Sequence, residues 1–238
     1  MPRRQRLVVP GVPHHITQRG NNRGQVFDSD ADRVLFLDLL ARYSQQYGLA
    51  IWSYCLMTNH FHLVAEPANQ TAMANTLGRI ESDFARFVNV HRRSSGHLWQ
   101  ARYYSVPMDT AHCWKAVAYV EQNPVRARMV DAAESHPWSS AAARIGKCAA
   151  PPWLMLDQWR EQWTLTEWLA LLRNEMPGRE IGVELREATL NGYPLGAELA
   201  TRLEATLGRR LHRGKSGRPP GVALLNNQTP LFGSAKTH

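Results

Sequence analysis

The sequence predicts an α+β fold, with helices packed on an antiparallel sheet and a mainly helical extension behind it. Short alternating runs read as strands, amphipathic stretches between them read as helices, and the character of the chain changes after Val130. The segment HHITQRG alternates and runs into the turn-rich GNNRG, which gives a first strand ending near Arg19. A helix follows through DSDADRVLFLDLLARYSQQYG. Asp28 or Ser29 caps its start, Val34, Leu35, Leu39 and Leu40 form its apolar stripe, and Gly48 ends it. LAIWSYCLM and HFHLVAEP are two strands joined by Thr58 and Asn59, which is a hairpin. A second helix runs through MANTLGRIESDFARFVNVHRR to the SSGH turn. RYYSVPM is a further strand, and a helix spans about Thr110 to Asn123.

Strand, helix, strand, strand, helix, strand, then one extra helix is the order of a ferredoxin-like split arrangement. After Val130, SHPWSSAAARIGKCAAPPW reads as a wrap or linker. DQWREQWTLTEWLALLRNEM is helical, with tryptophans that pack it on the main body, and LGAELATRLEATLGRRL is another amphipathic helix. HRGKSGRPPG is a basic tail that cannot form a core. The expected domains are residues 1–146 and a helical extension over 147–238.

Composition narrows the function. The 238 residues are 44% apolar, enough for a core, and 28 Lys plus Arg against 20 Asp plus Glu give a formal charge of +8. Few of those cations are Lys, and the planar fork of arginine suits phosphate, so a nucleic acid is the expected partner. Cys55, Cys113 and Cys148 form no CxxC pair, which speaks against a disulfide framework or a zinc-finger module. Nothing resembles a signal peptide and no apolar run approaches the ~20 residues of a membrane span, so a cytoplasmic protein is expected.

The chemistry centres on TNHFHLVA. Residues two apart on a strand share a face, so His60 and His62 point one way while Phe61 and Leu63 point the other. Two neutral imidazoles side by side can hold a divalent metal, or they are polar residues satisfied at a strand edge. Further on, in AVAYVEQNPVR, Tyr119 and Asn123 lie one helical turn apart. The Asn123 amide oxygen can complete a metal site and Tyr119 can reach a phosphate. Equally, Asn before Pro124 is an ordinary helix stop and a helical tyrosine is ordinarily packed.

With VPHHITQRGNNRGQVF, MTNHFHLV, GHLWQARYYSVPMD, YVEQNPVRARMV and HPWSS in this order, the chain resembles the single-tyrosine HUH transposases, in particular the bacterial REP-associated kind. GYPLGAELATRLEATLGRRL…SGRP is similar to the C-terminal extension often attached to them. The resemblance implies a metal-dependent tyrosine nuclease acting on hairpin-forming, repetitive extragenic palindromic DNA. His60, His62 and Asn123 become ligands of Mg²⁺ or Mn²⁺, and Tyr119 becomes the nucleophile, forming a covalent 5′-phosphotyrosine that a DNA 3′-hydroxyl can reverse. Many relatives carry Gln or Asn at the third ligand position. The resemblance also implies a nucleoid-associated protein without a membrane partner, monomeric or homodimeric.

Candidate DNA contacts are Arg3, Arg4, Arg6, the turn from Arg19 through Asn22 and Arg23, and Arg92, Arg93 and Arg102, with Trp99 as a base-stacking platform or a core anchor. Several rival readings fall. A zinc deaminase needs His-x-Glu and a Pro-Cys-x-x-Cys that the chain lacks. A cyclic phosphodiesterase finds His15 to Thr17 but no second His-x-Thr/Ser. Replication initiators usually place their tyrosine differently. A DNA-binding protein without cleavage, and a nuclease that nicks without transposing, remain the alternatives.

Overall fold

The computed structural model describes residues 6–211, apart from the side chains of 175–178. Arg3, Arg4 and the basic tail from residue 212 therefore lie outside the described residues. Strands β1 (His14–Arg19), β2 (Leu49–Leu56), β3 (His60–Pro67) and β4 (Tyr104–Pro107) form one sheet in the order β2-β3-β1-β4, every pair antiparallel. Helices α1 (Asp30–Tyr47) and α2 (Ala72–His91) connect β1 to β2 and β3 to β4. This is the expected ferredoxin-like topology.

Local chemistry sets the boundaries. The Ser29 side chain accepts from the Asp32 N–H while Asp32 bonds back to the Ser29 N–H, a capping box, and Gly48 closes α1 in the left-handed region at φ 73°. Alternation then divides the two faces of the sheet. Ile16, Phe61, Leu63 and Ala65 pack with Phe36, Phe84 and Leu77 under α1 and α2. Val64 and Val106 face the other way and join a second core with Val117 of α3 (Thr110–Glu121). The extra helix thus covers the face that α1 and α2 leave open.

Beyond α3 the chain continues at once into α4 (Asn123–Arg126), so Asn123 marks a kink rather than a stop. Short α5 (Ala141–Arg144) and α6 (Asp157–Gln162) lead to α7 (Leu165–Arg173), α8 (Glu175–Asn191) and α9 (Ala197–Leu207). The expected helix over DQWREQWTLTEWLALLRNEM is split in two. The Thr164 side chain accepts from the Glu167 N–H, and this cap starts α7 afresh. Helix α8 has no counterpart in the sequence reading, because Pro177, Gly178 and Gly182 discourage a helix there.

The segments after α4 are bound to α3 through buried polar contacts as well as apolar ones. Trp159 and Trp168 lie in the second core. Glu121, wholly buried, accepts from Arg144 Nε at 2.7 Å, Ser140 Oγ at 2.6 Å and Trp168 Nε1 at 3.3 Å. Gln122 Nε2 donates to the carbonyls of Leu171, Leu172 and Asn174, satisfying the open end of α7. Among the described residues, no helix is long and apolar enough to cross a membrane.

Candidate active site

The hairpin presents His60 and His62 on the α3 face of β3, and β1 beside it adds a residue whose role the sequence reading did not assign. His15 Nε2 lies 2.9 Å from His62 Nδ1, and the two rings stack with centroids 5.1 Å apart. His60 Nδ1 lies 2.7 Å from Asn59 Oδ1. Asn59 in turn donates to the Arg23 carbonyl at 2.8 Å, tying the hairpin turn to the turn after β1.

The Asn59 contact sets the tautomer of His60, and the His15 contact admits the same tautomer at His62. With His60 protonated on Nδ1 and donating to Asn59, its Nε2 carries a lone pair. With His62 donating from Nδ1 to His15 Nε2, its Nε2 does so too. A metal-binding histidine needs this arrangement, one nitrogen held by an acceptor and the other open. Both rings are also kept neutral. Burial, then the Arg19 charge, lowers His60 to about 4. Burial first, then the neighbouring His15, His60, Arg126 and Arg19, holds His62 well below the ordinary histidine range.

Tyr119 of α3 projects onto this cluster, its ring centroid 5.9 Å from that of His62 and 6.0 Å from that of His15, both edge-on. Two neighbours hold the ring. The Arg126 guanidinium lies over it, 4.0 Å from the centroid, and donates to the Tyr119 carbonyl at 2.6 Å. Gly182 of α8 also borders it, for a Cβ there would meet Tyr119 Cε2 at 2.7 Å. Glycine costs a helix interior about 1 kcal/mol relative to alanine, and here it lets α8 approach the tyrosine. Gly182→Ala will push the ring or the helix aside. The expected result is a roughly tenfold or larger fall in the rate of any reaction at Tyr119, with the melting temperature little changed. An unchanged single-turnover rate would show that α8 does not position the tyrosine.

Asn123 stands one turn beyond. Its Nδ2 donates to the Tyr119 and Val120 carbonyls at 3.2 and 3.3 Å, which fixes the amide and leaves the lone pairs of Oδ1 as its remaining polar function. Among the described residues no hydrogen bond joins it to His60 or His62, and no group of three His, Cys, Asp or Glu side chains forms a metal cluster. A ligand set drawn from these residues would be two imidazoles plus an amide oxygen, a mixed donor set compatible with Mg²⁺ or Mn²⁺.

The DNA-contact candidates divide. Arg19 pairs with His60 across the sheet and is exposed. Asn22 and Arg23 form an exposed turn with φ of 51° and 59°. Arg93 is exposed, and Arg102 lies at a separate cleft. Two candidates are otherwise engaged. Arg92 forms a two-pronged bridge to Asp28 at 2.6 and 2.8 Å. Trp99 donates to the Glu81 carbonyl and packs on Phe61 and Phe84, on the α1–α2 side of the sheet, so it is a core anchor and not a stacking platform beside the histidines.

The two histidines of β1 bear on stability. Burial lowers His14 to about 4 and His15 to about 3, whereas both titrate near 6.5 when unfolded. Below pH ~6.5 the unfolded chain therefore binds more protons than the folded one, and stability falls as pH drops towards 4. The urea midpoint will decrease between pH 7 and pH 5. A flat profile over that interval would contradict neutral burial.

Residues 9–123 match the family model described as transposase IS200 like. Over this segment the chain is similar to the IS200-like transposases. No curated protein matches the chain. The solved structure of a REP-associated tyrosine transposase bound to a REP hairpin superposes with a TM-score of 0.53 at 17% identity. That match covers 63% of this chain and 89% of the other, and it supports the fold. A structure of a transposase candidate from Deinococcus radiodurans shares 18% identity over 54% of this chain and 92% of its own, with a TM-score of 0.36, too low to carry an argument. The IS200-like segment ends at Asn123, so the contacts that Gly182 and Trp168 make with α3 come from outside it.

Proposed function

We propose that this protein is an IS200-like transposase that nicks and rejoins single-stranded DNA, with Tyr119 as nucleophile, at hairpins formed by repetitive extragenic palindromes. The observation that carries the reading is the pair of histidines whose Nδ1 atoms are both engaged, an arrangement in which both Nε2 atoms can carry lone pairs next to a tyrosine. His60 and His62, with Asn123 Oδ1 as third donor, would hold Mg²⁺ or Mn²⁺, which supplies Lewis-acid stabilisation of the scissile phosphate.

The protein's own residues account for the rest. Tyr119 Oη forms a bond to phosphorus as the bond to the 3′-oxygen breaks. The proton lost by the phenol balances the one gained by the departing 3′-hydroxyl. A 5′-phosphotyrosine remains, and attack by another 3′-hydroxyl reverses it without a nucleotide cofactor. Arg126, packed on the ring, presents positive charge where the phosphate must come. His15 keeps His62 in the required tautomer and orientation. The hairpin substrate is suggested by the fold neighbour's REP complex and by the basic charge of the chain.

The test is incubation with Mn²⁺ and single-stranded hairpin oligonucleotides taken from repeats flanking the gene. A protein–DNA adduct resistant to denaturation is expected with Mn²⁺ and absent with a chelator. Tight hairpin binding with no adduct in any divalent metal would leave a DNA-binding protein on a nuclease fold.

A further inference from the structure

A cleft of about 950 Å³ lies along the free edge of β4, where the sheet meets the extension. One wall is the β4 segment from Ala101 to Pro107. The other is the end of α8 with the residues after it, and Arg209 to Leu211 following α9. Its lining carries Arg6, Arg102, Arg209 and Arg210 and no carboxylate. In a chain with 20 acidic residues, four arginines around one concave surface whose lining holds no carboxylate favour an anion.

Two further observations say what kind. Ser105 Oγ, in this lining, is buried with no hydrogen-bond partner among the described residues, and Arg6 stacks on the Tyr103 ring, 3.6 Å from its centroid, while donating from Nε to the Tyr103 carbonyl at 3.1 Å. Tyr103 itself is only 5% exposed. Buried polar atoms ordinarily have partners, so Ser105 Oγ at the edge of this basic cleft is open to an acceptor oxygen. Tyr104, by contrast, is 51% exposed, an aromatic face turned to solvent beside the arginines. Arginines with an exposed aromatic ring are the parts from which single-strand sites are built.

The sheet register connects this cleft to the histidines. Thr17 pairs with His62 on one side and with Tyr104 on the other, so the three share a row and a face. Two strand spacings, about 10 Å, separate the Tyr104 backbone from that of His62. A strand crossing the histidine site along that row arrives at Tyr104 and the mouth of the cleft.

We propose that the β4-edge cleft holds the single-stranded DNA flank of the hairpin substrate, with arginines on its phosphates and Tyr104 stacked on a base. The proposal rests on the nuclease reading above and adds where the unpaired strand runs. It also gives the extension a part in substrate binding, because α8, α9 and their flanking residues form half of the cleft.

The experiment is fluorescence anisotropy of the full chain with two labelled probes, a bare hairpin and the same hairpin with a single-stranded flank, over a salt series. The variants are Arg102→Ala/Arg209→Ala/Arg210→Ala, its Lys counterpart, and Tyr104→Ala, each checked for an unchanged melting temperature. The triple Ala variant should lose about tenfold or more affinity for the flanked probe. Its slope of log K against log salt should flatten by about 2, as about 0.7 per phosphate implies for three lost contacts. Bare-hairpin binding should hold, the Lys variant should keep most of the slope, and Tyr104→Ala should cost about tenfold on the flanked probe alone. Equal losses on both probes, undiminished binding of the flank, or loss of the flank preference to a few millimolar inorganic phosphate would overturn it. The adduct assay separates the two readings. Adduct formation with an unaffected triple variant sinks the cleft alone, whereas no adduct with flank binding lost in the variant sinks the nuclease and leaves the cleft as a strand-binding site.

Discussion

Tyr119→Phe will yield no denaturation-resistant adduct with hairpin DNA under conditions where the wild type does, while its hairpin affinity stays within about twofold. The substitution removes one oxygen and nothing else, so the ring keeps its place between Arg126 and Gly182. The ester then has no atom to form on. The other tyrosines are poorly placed to substitute. Tyr43 donates its hydroxyl to Asp83 at 2.5 Å on the α1–α2 side of the sheet, and Tyr54 and Tyr103 are buried in the core there. Tyr104 is the competitor to watch, because it shares the histidine face two strands away. An adduct that persists in Tyr119→Phe and maps to Tyr104 by peptide sequencing would move the nucleophile to β4 and overturn the assignment.

Arg144→Ala will destabilise the protein by about 3–5 kcal/mol, read from the shift in denaturant midpoint at constant slope. Arg144 and Glu121 are both wholly buried, and Glu121 sits at the end of the helix that carries Tyr119. Removing the guanidinium leaves a carboxylate without a counter-charge, with only Ser140 Oγ and Trp168 Nε1 donating to it. Against a total of about 5–15 kcal/mol for a typical domain, that is a large share. Replacing both partners by apolar residues, as in Glu121→Leu/Arg144→Met, should cost far less than Arg144→Ala, because no charge is then left buried. Equal costs would show that packing volume, not charge, is what the pair contributes.

These two effects lie at different depths in the sequence. The candidate site was legible in local pattern, with the family resemblance supplying the role proposed for Tyr119: His60 and His62 alternate on a strand bounded by a two-residue turn, and Tyr119 and Asn123 are one helical turn apart. The capping of α1 by Ser29 and its end at Gly48 were legible for the same reason, since each is decided within a few residues. Trp99 misled as a stacking candidate because a partly exposed indole and a core anchor have the same local sequence. Its bond to the Glu81 carbonyl depends on how the segment before β4 meets α2.

What the sequence by itself determined is the order of elements, the face on which the two histidines stand, and the types of residue available to hold a metal and attack a phosphate. Alternation, helical periodicity and capping are short-range properties, so the chain states them directly. Only the tertiary structure decided that β1 lies next to β3 and so brings His15 to His62, that α8 forms a helix despite its glycines and lays Gly182 against Tyr119, and that arginines from the amino terminus, β4 and the segment after α9 surround one cleft. Each of these joins residues far apart in the chain, and such contacts follow from strand register and helix packing, which no local pattern records.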